Sequence, residues 1–211
     1  MDQEKISKLL GELGSIGSVN AANALSEMIL QDITIEVPGV YMVDPIEVPE
    51  ILQIHGLQTV VSIEQMSRDM EIDVILVFTV EEATKLAKLL MDAVGMDGID
   101  EMDVLDEIGN IMLGNFINAF SDYTDVTLKP TPPTHLVDYF DAIISNCVTN
   151  LMYQDIQATL FDTKLKCGGT DIEGLILMFL NEEFQETILA KSEPKTIPNT
   201  ERSRNYVNSI Q

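Results

Sequence analysis

An α+β fold made from two copies of one unit is what the sequence predicts, on three observations. Displacing the chain by 95 positions lays ELGSIGSVNAANALS (12–26) under EIGNIMLGNFINAFS (107–121), with seven of fifteen positions identical. These are Glu12/Glu107, Gly14/Gly109, Ile16/Ile111, Asn20/Asn115, Asn23/Asn118, Ala24/Ala119 and Ser26/Ser121. Pro38 then falls on Pro133 at the same offset. Each stretch is also followed, in the same order, by short β-type runs and a closing helix.

Taken along the chain, 12–26 belongs to a first long helix, followed by a Pro-marked turn and the run DITIEVPGVYMVD. TVVSIEQMS (59–67) and IDVILVFTV (72–80) read as strands joined through MEID, and EEATKLAKLLMDAVG (81–95) as an amphipathic helix. The second copy opens on the helix around 106–120. Its later elements are DIQATLFDTKL (155–165), IEGLILMFL (172–180) and EEFQETILAK (182–191), with KCGGTD supplying the Gly pair that hairpin turns favour. The segment 135–153 fits helix and strand equally. One half alone cannot cover both sides of its sheet. The expected architecture is therefore one domain over 1–190, with pseudo-repeats at about 4–95 and 99–190 related by a pseudo-two-fold axis and an antiparallel sheet packed on long helices. Residues 191–211 are polar, contain Pro194 and Pro198, and read as a flexible tail.

Bulk properties narrow the function. An apolar content of 45% suits a real core, and 11 Met with no Trp suggest flexible gap-filling side chains. The last 21 residues hold four basic and two acidic groups, so with a net charge of −23 residues 1–190 carry −25. Such a surface argues against nucleic acid, whose phosphates need a basic face, and against anionic lipid. It serves either as a solvated surface or as one aimed at a basic partner. The start, MDQEKISKLL, lacks the basic segment and apolar core of a signal peptide, and the longest apolar run, LILMFL (175–180), is too short to span a bilayer. A cytoplasmic protein with no membrane insertion is expected, with Cys147 and Cys167 as ordinary buried thiols.

The repeated helix carries three asparagines, and its faces separate them. With Glu107 set at zero and about 100° per residue, Val104, Ile108, Ile111, Met112, Phe116 and Ala119 cluster between roughly 40° and roughly 180°. Asn115, at about 80°, lies in that stripe and Asn118, at about 20°, at its edge, which suits buried scaffold amides. Asn110 falls at about 300°, Asp103 at about 320° and Gly114 at about 340°, forming with Glu107 a polar strip facing away from the core. The copies agree on the core face and differ outside. Asp103, Glu107 and Asn110 correspond to Lys8, Glu12 and Ser15. On composition alone the strip is an ordinary solvated helix face. His55 and His135 stand apart from any cluster, no metal site is visible, and nothing resembles a P-loop or a Ser-His-Asp set.

These residues resemble the CheC/CheX/FliY phosphatases of chemotaxis response regulators, most closely CheC. The family pattern is Asp or Ser, three residues, Glu, two residues, Asn, twenty-two residues, Pro, and Asp103, Glu107, Asn110 and Pro133 fit every spacing. The first copy keeps Glu12 and Pro38 but has Ser15 for the Asn and Lys8 for the Asp or Ser, a degraded second site.

The resemblance implies dephosphorylation of a phospho-aspartyl regulator of CheY type. Asn110 would orient the attacking water and Glu107 would pair with a lysine of the regulator. Asp103, Gly114 and Pro133 would border the site. No cofactor of its own is implied, and Mg²⁺ is expected in the partner's site. Two other roles share the resemblance: a flagellar or archaellar switch-type module that holds the phosphorylated regulator without hydrolysis, and a regulator that binds the deamidase CheD.

Overall fold

The computed structural model describes residues 3–48, 50, 59–67, 72–95, 98–140, 142–143 and 156–192. In chain order they form α1 (Gln3–Ile29), β1 (Ile33–Val43), a 3-10 turn (Pro45–Glu47), β2 (Thr59–Ser67), β3 (Ile72–Thr79), α2 (Val80–Val94), α3 (Glu101–Thr124), β4 (Thr134–Tyr139), β5 (Ile156–Cys167), β6 (Thr170–Asn181) and α4 (Glu182–Ser192). The class is α+β, as the sequence predicts. Among the described residues, no helix is long and apolar enough to cross a membrane.

Local chemistry sets the helix limits. Asp100 caps α3 by accepting from the Met102 amide at 2.8 Å, and Glu101 and Asp103 place negative charge in its first turn. Thr79 caps α2 by accepting from Glu82 N at 3.1 Å, and Asn181 Oδ1 accepts from the first-turn amide of Phe184 at 2.9 Å. The two long helices end alike, at left-handed non-glycine residues 95 positions apart, Leu30 (φ 55°) and Asp125 (φ 56°). The repeated serine explains itself here. Ser26 Oγ accepts from Ile33 N at 2.8 Å, and Ser121 Oγ accepts from Leu128 N at 3.4 Å. In both halves one hydroxyl ties the helix end to the chain that leaves it.

The sheet has six antiparallel strands in the order β1-β5-β6-β3-β2-β4. Exchanging β1 with β4, β2 with β5 and β3 with β6 reverses that order onto itself. Each half's first strand pairs with the other half's hairpin, β1 on β5 and β4 on β2. Gly168 and Gly169 turn the β5–β6 hairpin at φ 55° and 82°, a conformation that side chains resist.

One sheet face carries the main core. It gathers Leu10, Leu25, Leu86, Phe116, Phe120, Phe161, Ile176 and Phe184 from the helices and strands. The opposite face buries Ile75, Val77, Leu160, Leu177 and Phe179 beneath Val48, Phe140 and Ile143. Phe116 sits where α1 meets α3, edge-on to Phe161 with ring centroids 4.9 Å apart. The crossing is close: a Cβ on Gly17 would lie 2.9 Å from Phe116 Cα, and one on Gly14 would lie 2.7 Å from the Phe161 ring.

Several expectations shift. The helix expected around 106–120 runs over Glu101–Thr124. Pro38 lies inside β1, where the register slips between Glu36 and Gly39, instead of marking a turn. Proline has no amide for the ladder and suits such an edge-strand irregularity. Ile72 and Asp73 of MEID belong to β3. In the ambiguous segment, His135–Tyr139 is strand, while 144–153 lies outside the described residues, as do His55, Cys147 and the expected tail beyond Ser192.

Two glycine-to-alanine substitutions should act in opposite directions. Gly14→Ala pushes a methyl into a buried ring and should cost about 1–3 kcal/mol in urea denaturation. A Cβ at Gly114 meets nothing within 4 Å, so Gly114→Ala should stabilise by about 1 kcal/mol through helix propensity.

Candidate functional site

The strip anticipated on the second long helix exists on α3. With Glu107 at zero, its buried residues run around the helix from Val104, at about 60°, through Leu105, Gly109 and Leu113 to Ile117, at about 280°. What remains outside is a narrow face. Asp103, Glu107 and Asn110 are exposed on it, and Gly114 is half-buried beneath open space. Residues three and four apart on a helix are surface neighbours, so Asp103, Glu107, Asn110 and Gly114 form one continuous edge. Pro133 is half-buried one residue before β4.

Asn118 corrects a sequence expectation. It is exposed, as are its counterpart Asn23 and also Asn20, so the buried scaffold role fails for these three. The buried arc is wider than the apolar stripe suggests, because α3 is covered by the sheet, α1 and α2 together. Its centre is displaced, and Asn118 falls on the outer strip beside Glu107 and Gly114. Only Asn115 behaves as anticipated: it is half-buried, and its Nδ2 donates to Ile111 O at 2.8 Å. Nothing in the structure explains the repetition of the Asn23/Asn118 position.

On α1, Lys8, Glu12 and Ser15 are likewise exposed, and they interact within their own helix. Lys8 Nζ lies 3.9 Å from Glu12 Oε1, whereas Asp103, which takes the place of Lys8 on α3, cannot pair with Glu107. Ser15 Oγ donates to Gly11 O at 2.9 Å, turning the hydroxyl back onto its own backbone. Val19, 55% exposed, occupies the position of Gly114, and Ile16 beside it is 51% exposed. Pro38 is exposed on β1. This strip is neutral and bulky where the α3 strip is acidic and open.

One pair is hidden from the sequence. His135, expected to stand apart, has Nδ1 at 2.7 and 2.8 Å from the two carboxylate oxygens of Asp106. The partners are 29 residues apart, so no local spacing signals them.

Groups on other elements have shifted protonation. Hydrogen bonding to Glu81 and Glu82 holds Lys85 protonated far above its ordinary range. A hydrogen bond from Lys164 holds the Asp171 carboxyl low, and burial pushes the Cys167 thiol up. Among the described residues no group of three metal-ligating side chains occurs. The strip's chemistry is that of a neutral amide and two carboxylates carried on the exposed face of a helix.

Comparison with known proteins converges on the same helix. The model of the CheC-like family matches residues 101–137, which span α3, Pro133 and the first part of β4. A curated relative, the CheY-P phosphatase CheC of Bacillus subtilis (strain 168), is 34% identical over 70 residues, 32% of this chain. The chain thus spans about a third (34%) of the length of that relative. Among solved structures, Thermotoga maritima FliY superposes with a TM-score of 0.65 at 17% identity, covering 89% of this chain and 95% of that one. The FliM middle domain of H. pylori superposes at 0.62 and 15% identity, covering 90% and 99%. At such identities these two likenesses establish the fold.

Asn118→Ala should raise stability by about 0.5 kcal/mol, the propensity difference at an exposed helix position. A loss beyond about 1 kcal/mol in chemical denaturation would reinstate the scaffold role.

Proposed function

We propose that this chain, which belongs to the CheC/CheX/FliY family, is a protein aspartyl-phosphate phosphatase acting on a CheY-type response regulator. The observation that carries the reading is the exposed Glu107/Asn110 pair on one face of α3, set beside open space at Gly114.

The reaction asks little covalent chemistry of the protein. A phospho-aspartate is a mixed anhydride: water oxygen attacks phosphorus, the bond from phosphorus to the aspartyl oxygen breaks, and the carboxylate leaves while the water's proton ends on phosphate or solvent. Rate is gained by holding that water in line. A carboxamide both accepts from and donates to a water without titrating, which is the role assigned to Asn110. Glu107, one turn earlier, pairs with a lysine of the regulator and sets the register of docking. The metal in this scheme is Mg²⁺ belonging to the regulator.

The α1 strip supports the same reading by contrast. Its glutamate has a cation in its own helix, and Val19 fills the space that Gly114 leaves open. One working face and one converted face follow.

Phosphate release from a phosphorylated cognate regulator tests the proposal. Asn110→Ala should lose about a hundredfold or more in kcat, and Ser15→Ala should change it little. Glu107→Ala should mainly weaken association. Gly114→Val should raise KM while leaving the fold intact. Hydrolysis that survives Asn110→Ala would refute catalysis by this residue. Tight binding without hydrolysis by the wild type would instead identify a switch-type module.

A further inference from the structure

The geometry points to Asp106 and His135 as positioning residues for the α3 face, and we propose that their hydrogen-bonded contact holds the start of β4 against the helix beside Asn110. This rests on the phosphatase reading above. Asp106 precedes Asn110 by four residues, so the two are neighbours along one side of α3, and it adjoins Glu107 in sequence. His135 follows Pro133 by two residues and lies at the start of the edge strand. The imidazole Nδ1 meets both carboxylate oxygens, at 2.7 and 2.8 Å, with the two side chains 37% and 33% exposed.

The internal repeat supplies an independent control. At the 95-residue offset Asp106 corresponds to Gly11 and His135 to Val40. These two also face one another: a Cβ on Gly11 would lie 3.7 Å from Val40 Cγ2. The same joint between long helix and edge strand therefore occurs twice. It is apolar where the motif is degraded and polar where the motif is intact. A partly exposed polar pair adds little to stability, and Gly11 with Val40 makes the joint without polar side chains, so folding alone does not account for the pair. What the pair adds is direction. A carboxylate gripping one ring nitrogen through both oxygens fixes the strand's approach to the helix, where glycine and valine only touch. The placing of Pro133 in the motif then has a physical sense, since its fixed φ sets the path of the chain two residues before His135.

The test imports the first half's joint into the second, as the double variant Asp106→Gly, His135→Val, together with His135→Arg, which keeps a donor for the Asp106 carboxylate. With phosphorylated regulator as substrate, the double variant should lose about tenfold in kcat with KM within about twofold. His135→Arg should keep at least half of kcat. Melting temperature and amide hydrogen exchange are read on the same samples. Faster exchange at residues 134–137 in the double variant, with the rest of the sheet unchanged, supports the latch. Unchanged kcat and exchange overturn it, as does a loss of kcat that only follows the unfolded fraction. If the wild type itself releases no phosphate, the phosphatase reading falls, and the exchange measurement still decides whether the pair holds β4.

Discussion

The close crossing of α1 and α3 around Phe116 governs what each helix can offer to the outside. Gly14 and Gly17 let α1 approach until a Cβ at either position would collide with Phe161 or with the Phe116 backbone. That approach, over a sheet to which both halves contribute strands, buries well over half of the circumference of α3. A helix so enclosed has one narrow outward face, and the helix axis is held rigidly beneath it. The backbone beneath such a face is fixed by the core, which suits the positioning role proposed for it.

The two halves use this common scaffold differently. Strand exchange between halves and serine ties at both helix ends keep the two frames alike. On the outward strips the residues diverge in charge, reach and bulk: Asp103, Glu107, Asn110 and Gly114 against Lys8, Glu12, Ser15 and Val19. The divergence extends to the joint with the edge strand, where an Asp–His pair in one half answers a Gly–Val contact in the other.

Much of this is legible in the sequence because it depends on local periodicity. The α+β class, the hairpin at Gly168–Gly169, the run of strands and the outward direction of Glu107 and Asn110 follow from patterns of two and 3.6 residues. Asn118 is misplaced by the same reasoning because the width of a buried arc depends on how many layers cover a helix, and a sequence shows the stripe but not the neighbours. Pro38 reads as a turn because a proline inside a strand is tolerated only at an edge irregularity, and edge status is a property of the assembled sheet. The partnership of Asp106 and His135 is invisible for a related reason: it is created when β4 is laid beside α3.

The most direct measurement rebuilds the site on the other face. In an Asn110→Ala background, Lys8→Asp, Ser15→Asn and Val19→Gly give α1 the outward strip of α3, and phosphate release from the phosphorylated regulator is followed. If the shared scaffold positions the chemistry and the strip alone distinguishes the halves, hydrolysis returns, and adding Gly11→Asp with Val40→His raises it further. A rebuilt protein that folds and binds the phosphorylated regulator yet releases no phosphate above the Asn110→Ala level would contradict the account.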